Sequence, residues 1–346
     1  PPYLTFRARF CDVANTMKAA FRQQLPRVTG GFDHFLEFGV DARTQHAFWL
    51  SRQVLSRPWQ EAVQRRLTLC VSQANIGSSV LLQDIDARST HLSLPTYWPV
   101  EQYNSASGSF LSCDEDVLQG RLFTASDHAT WRLRASSPVS AESLYWPSGG
   151  LRCQPTQWLG EIDAAGQSIS GLFVGARVQF WGRVAPIGMA LLSVPRLGGD
   201  AQVQLTAIGQ FAGRAGALSE RLNGAVGVLR VGDETYHFDR WWPVGTVASA
   251  RLDAYRWMAT LTNASHRLEL VADGGNPRIT PWQGIVDHTP EGLRQLLRVT
   301  PYSVVHARLF ARGGQTPIRE WRSDNALLMT LAGDSVNLPV GPMATP

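Results

Sequence analysis

The chain has 346 residues, of which 44% are hydrophobic and 17% charged, a balance that disordered, collagen-like and coiled-coil sequences do not have. Domains run to roughly 100–200 residues, so there is room for two, each with its own core. Of the 32 basic residues all but Lys18 are arginine, and a formal charge of +4 spread over the whole chain forms no stripe that would track phosphates, so no nucleic-acid partner is expected.

The sequence starts at Pro1-Pro2-Tyr3 with neither a charged nor an apolar leader region and no initiator Met, so its natural start is expected further upstream. Asp12–Gln24 is predicted as a helix, capped by Asp12 and carrying Val13, Met17, Ala20 and Phe21 at helical spacing. Beyond it nearly everything alternates with period two. His34–Val40 and Gln45–Arg52 read as a hairpin across Asp41-Ala42-Arg43-Thr44. Strand-like runs follow at Arg66–Ser72, Ser79–Gln83, Val117–Thr124, Thr130–Ala135, Ser168–Val174, Val178–Arg183 and Ala201–Phe211. Val226–Val231 and Glu234–Asp239 flank Gly232-Asp233, a two-residue hairpin signal. Arg251–Tyr255, Trp257–Thr262 and His266–Ala272 come next, then a second predicted helix at Pro290–Leu297 behind Thr289, and finally strands at Val304–Ala311 and Leu327–Leu331.

Roughly sixteen to eighteen strands with no repeated helix between them make an all-β, antiparallel protein. Sheets of that size close or split, so two antiparallel β-barrels or sandwiches in tandem are expected, with one or two short helices. The divisions are drawn at 1–26 for an N-terminal helical segment, 27–195 for a first barrel, 196–337 for a second and 338–346 for a tail. Pro195–Asp200 marks the boundary between the halves.

The longest apolar stretch, Val184–Pro195, is interrupted by proline, glycine and serine and falls short of the ~20 residues that a bilayer span needs. No transmembrane segment is expected, and a cytoplasmic location is. Cys11, Cys70, Cys113 and Cys153 lie far apart with no Cys-x-x-Cys pair, which predicts reduced buried thiols and no structural zinc. Gly-x-Ser-x-Gly, P-loop, dinucleotide-binding, His-Glu-x-x-His and EF-hand patterns are all missing, so neither a cofactor nor a metal is expected.

Twelve tryptophans are the conspicuous excess, since each brings a large apolar face and one N–H in need of a partner. In His128–Arg134, period two puts Ala129, Trp131 and Leu133 on one face and His128, Thr130, Arg132 and Arg134 on the other, the pattern of a half-buried strand. In Tyr236–Pro243, His237 and Asp239 share a face, either as a proton-transfer pair or as a charge-paired surface feature, ahead of the doubled Trp241-Trp242. Asp84 and Asp86, or Asp114 and Asp116, stand two apart and read as solvated turns or as acids on one strand face.

A third aromatic stretch runs from Trp158 through Gly171 and Gly175 to Val178-Gln179-Phe180-Trp181-Gly182, after Trp146-Pro147. In order and character these elements resemble the two-domain lipocalin-like family that includes carotenoid 1,2-hydratases, tocopherol cyclase and the fungal decalin-forming Diels–Alderases. In that family a Trp-Pro-rich segment and a glycine-containing strand lead to a strand ending Asn-Trp-Gly. The segment from Pro290-Glu291-Gly292 through Ser303 and Leu309 to Ser323-Asp324-Asn325-Ala326-Leu327 is similar to the tocopherol-cyclase ending, and the resemblance spans about residues 120–335. It departs where hydratase-like members carry His and Asp just before Asn-Trp-Gly, because Val178, Gln179 and Phe180 stand here and none of them protonates an alkene.

The resemblance implies a pocket at or between two barrels, in which a flexible polyene or polyketide-like chain is folded into a reactive shape. On this reading the chain is a cofactor-independent cyclase or isomerase acting on a hydrophobic small molecule. Gln179, His237 and Asp239 are its candidate catalytic groups, and Trp131, Trp146, Trp158, Phe180, Trp181, Tyr236 and Trp257 its substrate-binding candidates. The alternatives are a non-catalytic binder or chaperone of a lipid-like ligand, and a structural or carbohydrate-binding β protein that displays Trp241 and Trp242.

Overall fold

The structure, a computed structural model, describes residues 31–56, 63–74, 78–86, 101–114, 116–137, 140–146, 149–182, 188–211, 224–238, 249–253, 255–275, 282–288 and 294–333. The first sheet contains β1 (Gly31–Val40), β2 (His46–Ser56), β3 (Val63–Gln73), β4 (Ser78–Asp86), β5 (Glu101–Asn104), β6 (Phe110–Asp114), β7 (Val117–Phe123), β8 (His128–Ser136), β9 (Glu142–Trp146), β10 (Gly149–Ala164) and β11 (Gln167–Gly182). The second contains β12 (Gly188–Val194), β13 (Val203–Phe211), β14 (Gly224–Val231), β15 (Glu234–Phe238), β16 (Ser249–Asp253), β17 (Arg256–Thr262), β18 (His266–Asp273), β19 (Gln283–His288), β20 (Arg294–Ala311) and β21 (Arg319–Gly333). Both are curled, antiparallel and barrel-like, as the alternating sequence requires. Helical structure among the described residues is limited to short 3-10 turns such as Leu197–Gly199.

The two ladders run in the same order. The first reads β4-β3-β2-β1-β11-β10-β8-β7-β6-β5 with β9 added to β10, and the second β15-β14-β13-β12-β21-β20-β18-β17-β16 with β19 added to β20. β11, ending at Gly182, belongs to the first sheet and β12, starting at Gly188, to the second, whereas the sequence places the division at 195/196. Gly188–Val194 is a second-sheet strand because β13 and β21 flank it on both edges.

Local chemistry explains the tight turns. Asp41 Oδ1 accepts hydrogen bonds from the Arg43 and Thr44 amides at 2.8 and 3.4 Å, an Asx-type turn that joins β1 to β2. Gly232 adopts φ 61 between β14 and β15, the positive φ that a two-residue hairpin needs. One of the two predicted helices is overturned. Arg294–Leu297 belong to strand β20, where Gln295–Leu297 pair with both β19 and β21, so tertiary pairing overrides the local helical pattern. The Asp12–Gln24 helix lies outside the described residues.

All ten residues of β1 and all seven of β12 are buried. Each strand is covered on both faces. Phe32, Leu36 and Phe38 of β1 join Met189 and Leu191 of β12 and Leu327, Met329 and Leu331 of β21 in one apolar core between the sheets. The opposite face of β12, with Ala190 and Leu192, lines the core of the second barrel around Trp257. Phe48, Trp131, Trp158 and Phe173 centre the core of the first.

Candidate functional site

The other face of β1 carries the chemistry. Period two turns Asp33, Phe35 and Glu37 into the first barrel, and the register extends them into cross-strand rows. The outermost row runs Val54, Asp33, Trp181, Gly150 and Tyr145. Next come Asp84, Leu67, Arg52, Phe35, Gln179, Arg152 and Ser143. A third row runs Leu82, Leu69, Leu50, Glu37, Arg177 and Gln154, and beyond it the wall is Phe48, Phe173 and Trp158. One half of this interior is charged and the other apolar.

Glu37 stands where the halves meet, 1% exposed, with its Oε1 3.6 Å from Arg177 Nε. Burial pushes its carboxyl above the ordinary value, and the Arg177 and Arg52 guanidinium groups oppose that only in part. Arg52 stacks 3.9 Å over the Phe35 ring, and burial lowers its pKa against the pull of Asp33 and Glu37. Gln179 is fully buried, and its Nε2 donates to Asp33 Oδ1 and Oδ2 at 3.0 and 3.2 Å. Arg177 also lies 5.2 Å from the Trp158 ring, whose indole N–H donates to Phe38 O at 3.2 Å. Near the mouth, Arg152 Nε donates to Ser143 Oγ at 3.2 Å, and its guanidinium lies 5.7 Å over Trp181. The Trp181 ring closes on Gly150, where a Cβ would come within 2.4 Å of it. Asp84 accepts hydrogen bonds from the Ser105 and Ser107 hydroxyls at 2.6 and 2.9 Å.

The second barrel provides an internal control. Its ladder matches the first from β4 through β6, β5 alone lacking a counterpart among the described residues, and Arg298 opposite Thr330 and Ala190 takes the place of Arg152 opposite Gln179 and Phe35. In the same frame Leu192 and Leu328 occupy the positions of Glu37 and Arg177, and Gly209 that of Arg52. Among the described residues, the fully buried acid flanked by guanidinium groups therefore stands at these matched positions in the first barrel, whereas Glu269 of the second, between Arg267 and Arg308, is part-exposed.

The structure distributes the residues singled out in the sequence. Gln179, Trp131, Trp158 and Trp181 face the first barrel's interior. Phe180 points the other way, into the core between the sheets, with its ring 4.5 Å from that of His34. Trp257 is buried in the second barrel, where Tyr236 packs at the edge and donates to Glu234 at 2.6 Å. His237 is exposed on β15, so it does not meet Gln179. Asp239, Trp241 and Trp242 lie outside the described residues. Trp146 ends β9 opposite Gly149, and its side chain is outside them too. Sequence reasoning missed Asp33, Glu37, Arg52, Arg152 and Arg177. Their signal was a strand apolar on both faces that nevertheless carries two carboxylates. Among the described residues no three His, Cys, Asp or Glu side chains gather as a metal set, and no helix is long and apolar enough to cross a membrane.

No family model and no curated protein matches the sequence. Solved structures do. An AttH protein of Nitrosomonas europaea aligns over 95% of this chain and 98% of its own, with 13% identity and TM-score 0.53. CghA bound to Sch210972 aligns over 89% and 90%, with 8% identity and TM-score 0.50. Kievitone hydratase from Nectria haematococca covers 89% and 90% at 10% identity, with TM-score 0.48. Matching over nearly the whole length while sharing so little sequence, the chain has the two-domain lipocalin-like fold of the family that its sequence resembles.

Proposed function

We propose that the chain is a cofactor-independent cyclase or isomerase that folds a hydrophobic polyene, polyketide or isoprenoid inside the first barrel, with Glu37 as its proton donor. The observation that carries this reading is a fully buried carboxyl with a raised pKa, set between two guanidinium groups above an aromatic floor. Burying such a group costs several kcal/mol that a well-packed apolar core would not spend, and perturbed titratable groups of this kind concentrate at functional sites.

Each part then has a role. Phe48, Trp131, Trp158 and Phe173 hold the apolar chain in a compact shape, which lowers the entropic part of the barrier. Their π faces attract positive charge developing along it. Arg52 and Arg177 hydrogen-bond a carbonyl or enol oxygen, and neutral Glu37 delivers a proton to the adjoining carbon. Gln179, fixed by Asp33, sets the direction of the polar end. The acid missing beside Gln179 in sequence is thus supplied from β1.

The test pairs native mass spectrometry of the purified chain with a turnover screen of polyene, polyketide and isoprenoid substrates. Glu37→Gln is expected to lower kcat by about 10²–10⁴-fold while a retained ligand stays bound. Undiminished turnover in that variant removes Glu37 from the reaction. Retained ligand with no turnover of any substrate class favours the lipid-like binder instead, and a loss confined to His237→Ala would move the chemistry to the second sheet.

A further inference from the structure

The proposed reaction leaves one group of the first barrel unused. Cys113 stands on β6, opposite Leu118 of β7, buried and in no disulfide. Arg177 Nη2 lies 3.7 Å from its Sγ, while Nε of the same guanidinium faces Glu37 Oε1 at 3.6 Å. One cation therefore joins a thiol and a carboxyl, and Arg52 interacts electrostatically with both. A guanidinium at that distance is placed to hold negative charge as it develops on the sulfur in a nucleophilic attack.

All three described thiols are buried in apolar cores, but Cys113 lies in that of the first barrel and beside a guanidinium. Cys70 and Cys153 sit in the apolar core between the sheets, and burial pushes both thiols up. A second observation points to a ligand. Glu37 Oε1 and Trp131 Nε1 face the same interior, are buried, and make no hydrogen bond, and a ligand's polar atom there would offset the desolvation they bear.

We propose that Cys113 is a second reactive group of this barrel, a nucleophile that takes apolar ligands bearing an α,β-unsaturated carbonyl as a reversible covalent adduct. Sulfur bonds to the β-carbon while the C=C π pair moves onto the carbonyl as an enolate whose oxygen the guanidinium groups hold, and neutral Glu37 gives its proton to the α-carbon. The S–H proton passes to the Glu37 carboxylate so formed and restores the acid. An S–H bond and a π bond are exchanged for C–S and C–H bonds, with nothing oxidised or reduced. The former double bond is single in the adduct, so rotation before release changes its geometry and gives the barrel a route to E/Z isomerisation.

The site is shared with the function proposed above, but the adduct is read by mass and needs no turnover, so the two readings fail separately. The full chain is incubated with trans-3-nonen-2-one and its thiols are mapped by peptide mass spectrometry. Cys113 is expected to label about tenfold faster than Cys70 and Cys153 in the folded chain, with the preference lost in denaturant. Arg177→Gln lowers the Cys113 rate without changing the other two, and nonan-2-one, which lacks the double bond, gives no adduct. Equal labelling of the three thiols in the folded wild type, or none on Cys113, overturns the proposal whether or not the Arg177 variant folds.

Discussion

Glu37 is held by opposing effects. Burial raises its pKa from the ordinary 4.5, and two guanidinium groups pull it back without restoring it. The folded chain therefore binds this proton more tightly than the unfolded chain does. Whatever stability Glu37 contributes is present in full below about pH 4.5 and declines as pH rises through the higher folded value. Glutamine keeps the shape and cannot ionise. The melting temperature of Glu37→Gln relative to wild type should accordingly climb with pH across that window, whatever offset the lost ion pair sets at the acidic end. Thermal melts of both proteins from pH 4 to 8, a range of about four units chosen to bracket the shift, check it. A flat difference would mean that Glu37 titrates normally.

At the scale of the element, period two was legible wherever a strand had one dry and one wet face. Residues 128–136 show it well: Ala129, Trp131 and Leu133 are buried and their neighbours exposed, as the alternation of His128–Arg134 requires. The Asp41–Thr44 and Gly232–Asp233 turns were legible for the same reason, since their side-chain chemistry is local. Strands buried on both faces were harder. β1 reads as a strand, but its carboxylates do not stand out, because sequence alone does not show that solvent is excluded from both sides. β20 is a strand over Arg294–Leu297, where a helix is predicted, because Gln295–Leu297 pair with both β19 and β21, and its faces exchange farther on, at the irregular register between Thr300 and Val305. There Leu297 and Val299 face the core between the sheets, while Val305, Ala307 and Leu309 face the barrel. Tyr302, inside that irregularity, reaches the first sheet, where its hydroxyl lies 3.0 Å from Ser72 O and 3.1 Å from Gln45 O. Tyr302→Phe keeps the ring but leaves those carbonyls without this donor, at a cost of about 1–3 kcal/mol. Denaturant melts should show the loss, and a neutral result would assign the anchoring to the ring alone.

At the scale of the molecule, two sheets share one ladder order but differ at matching positions, the first holding buried charge around Glu37 and the second Leu192, Leu328 and Gly209. That division of labour would permit independent barrels, yet the packing argues otherwise. Leu36, Trp49 and Val178 from the first sheet and Met189, Leu191 and Met329 from the second form one buried cluster, so separating the sheets would expose large apolar side chains on both. Polar ties cross the same boundary, from Tyr302 to Gln45 ahead of β2 and to Ser72 near the end of β3, from Ser193 to Cys153 at 3.4 Å, and from Gln283 to Ser79. Shared burial of this kind makes unfolding cooperative. Calorimetry of the full chain should therefore give one transition whose calorimetric and van't Hoff enthalpies agree. Leu191→Ala should shift that whole transition, because removing a fully buried leucine costs about 2–5 kcal/mol and the void would open between the sheets rather than inside either barrel. Two resolved transitions, with the variant moving only one of them, would instead show that each barrel folds alone and that the apolar seam is only a contact between finished domains.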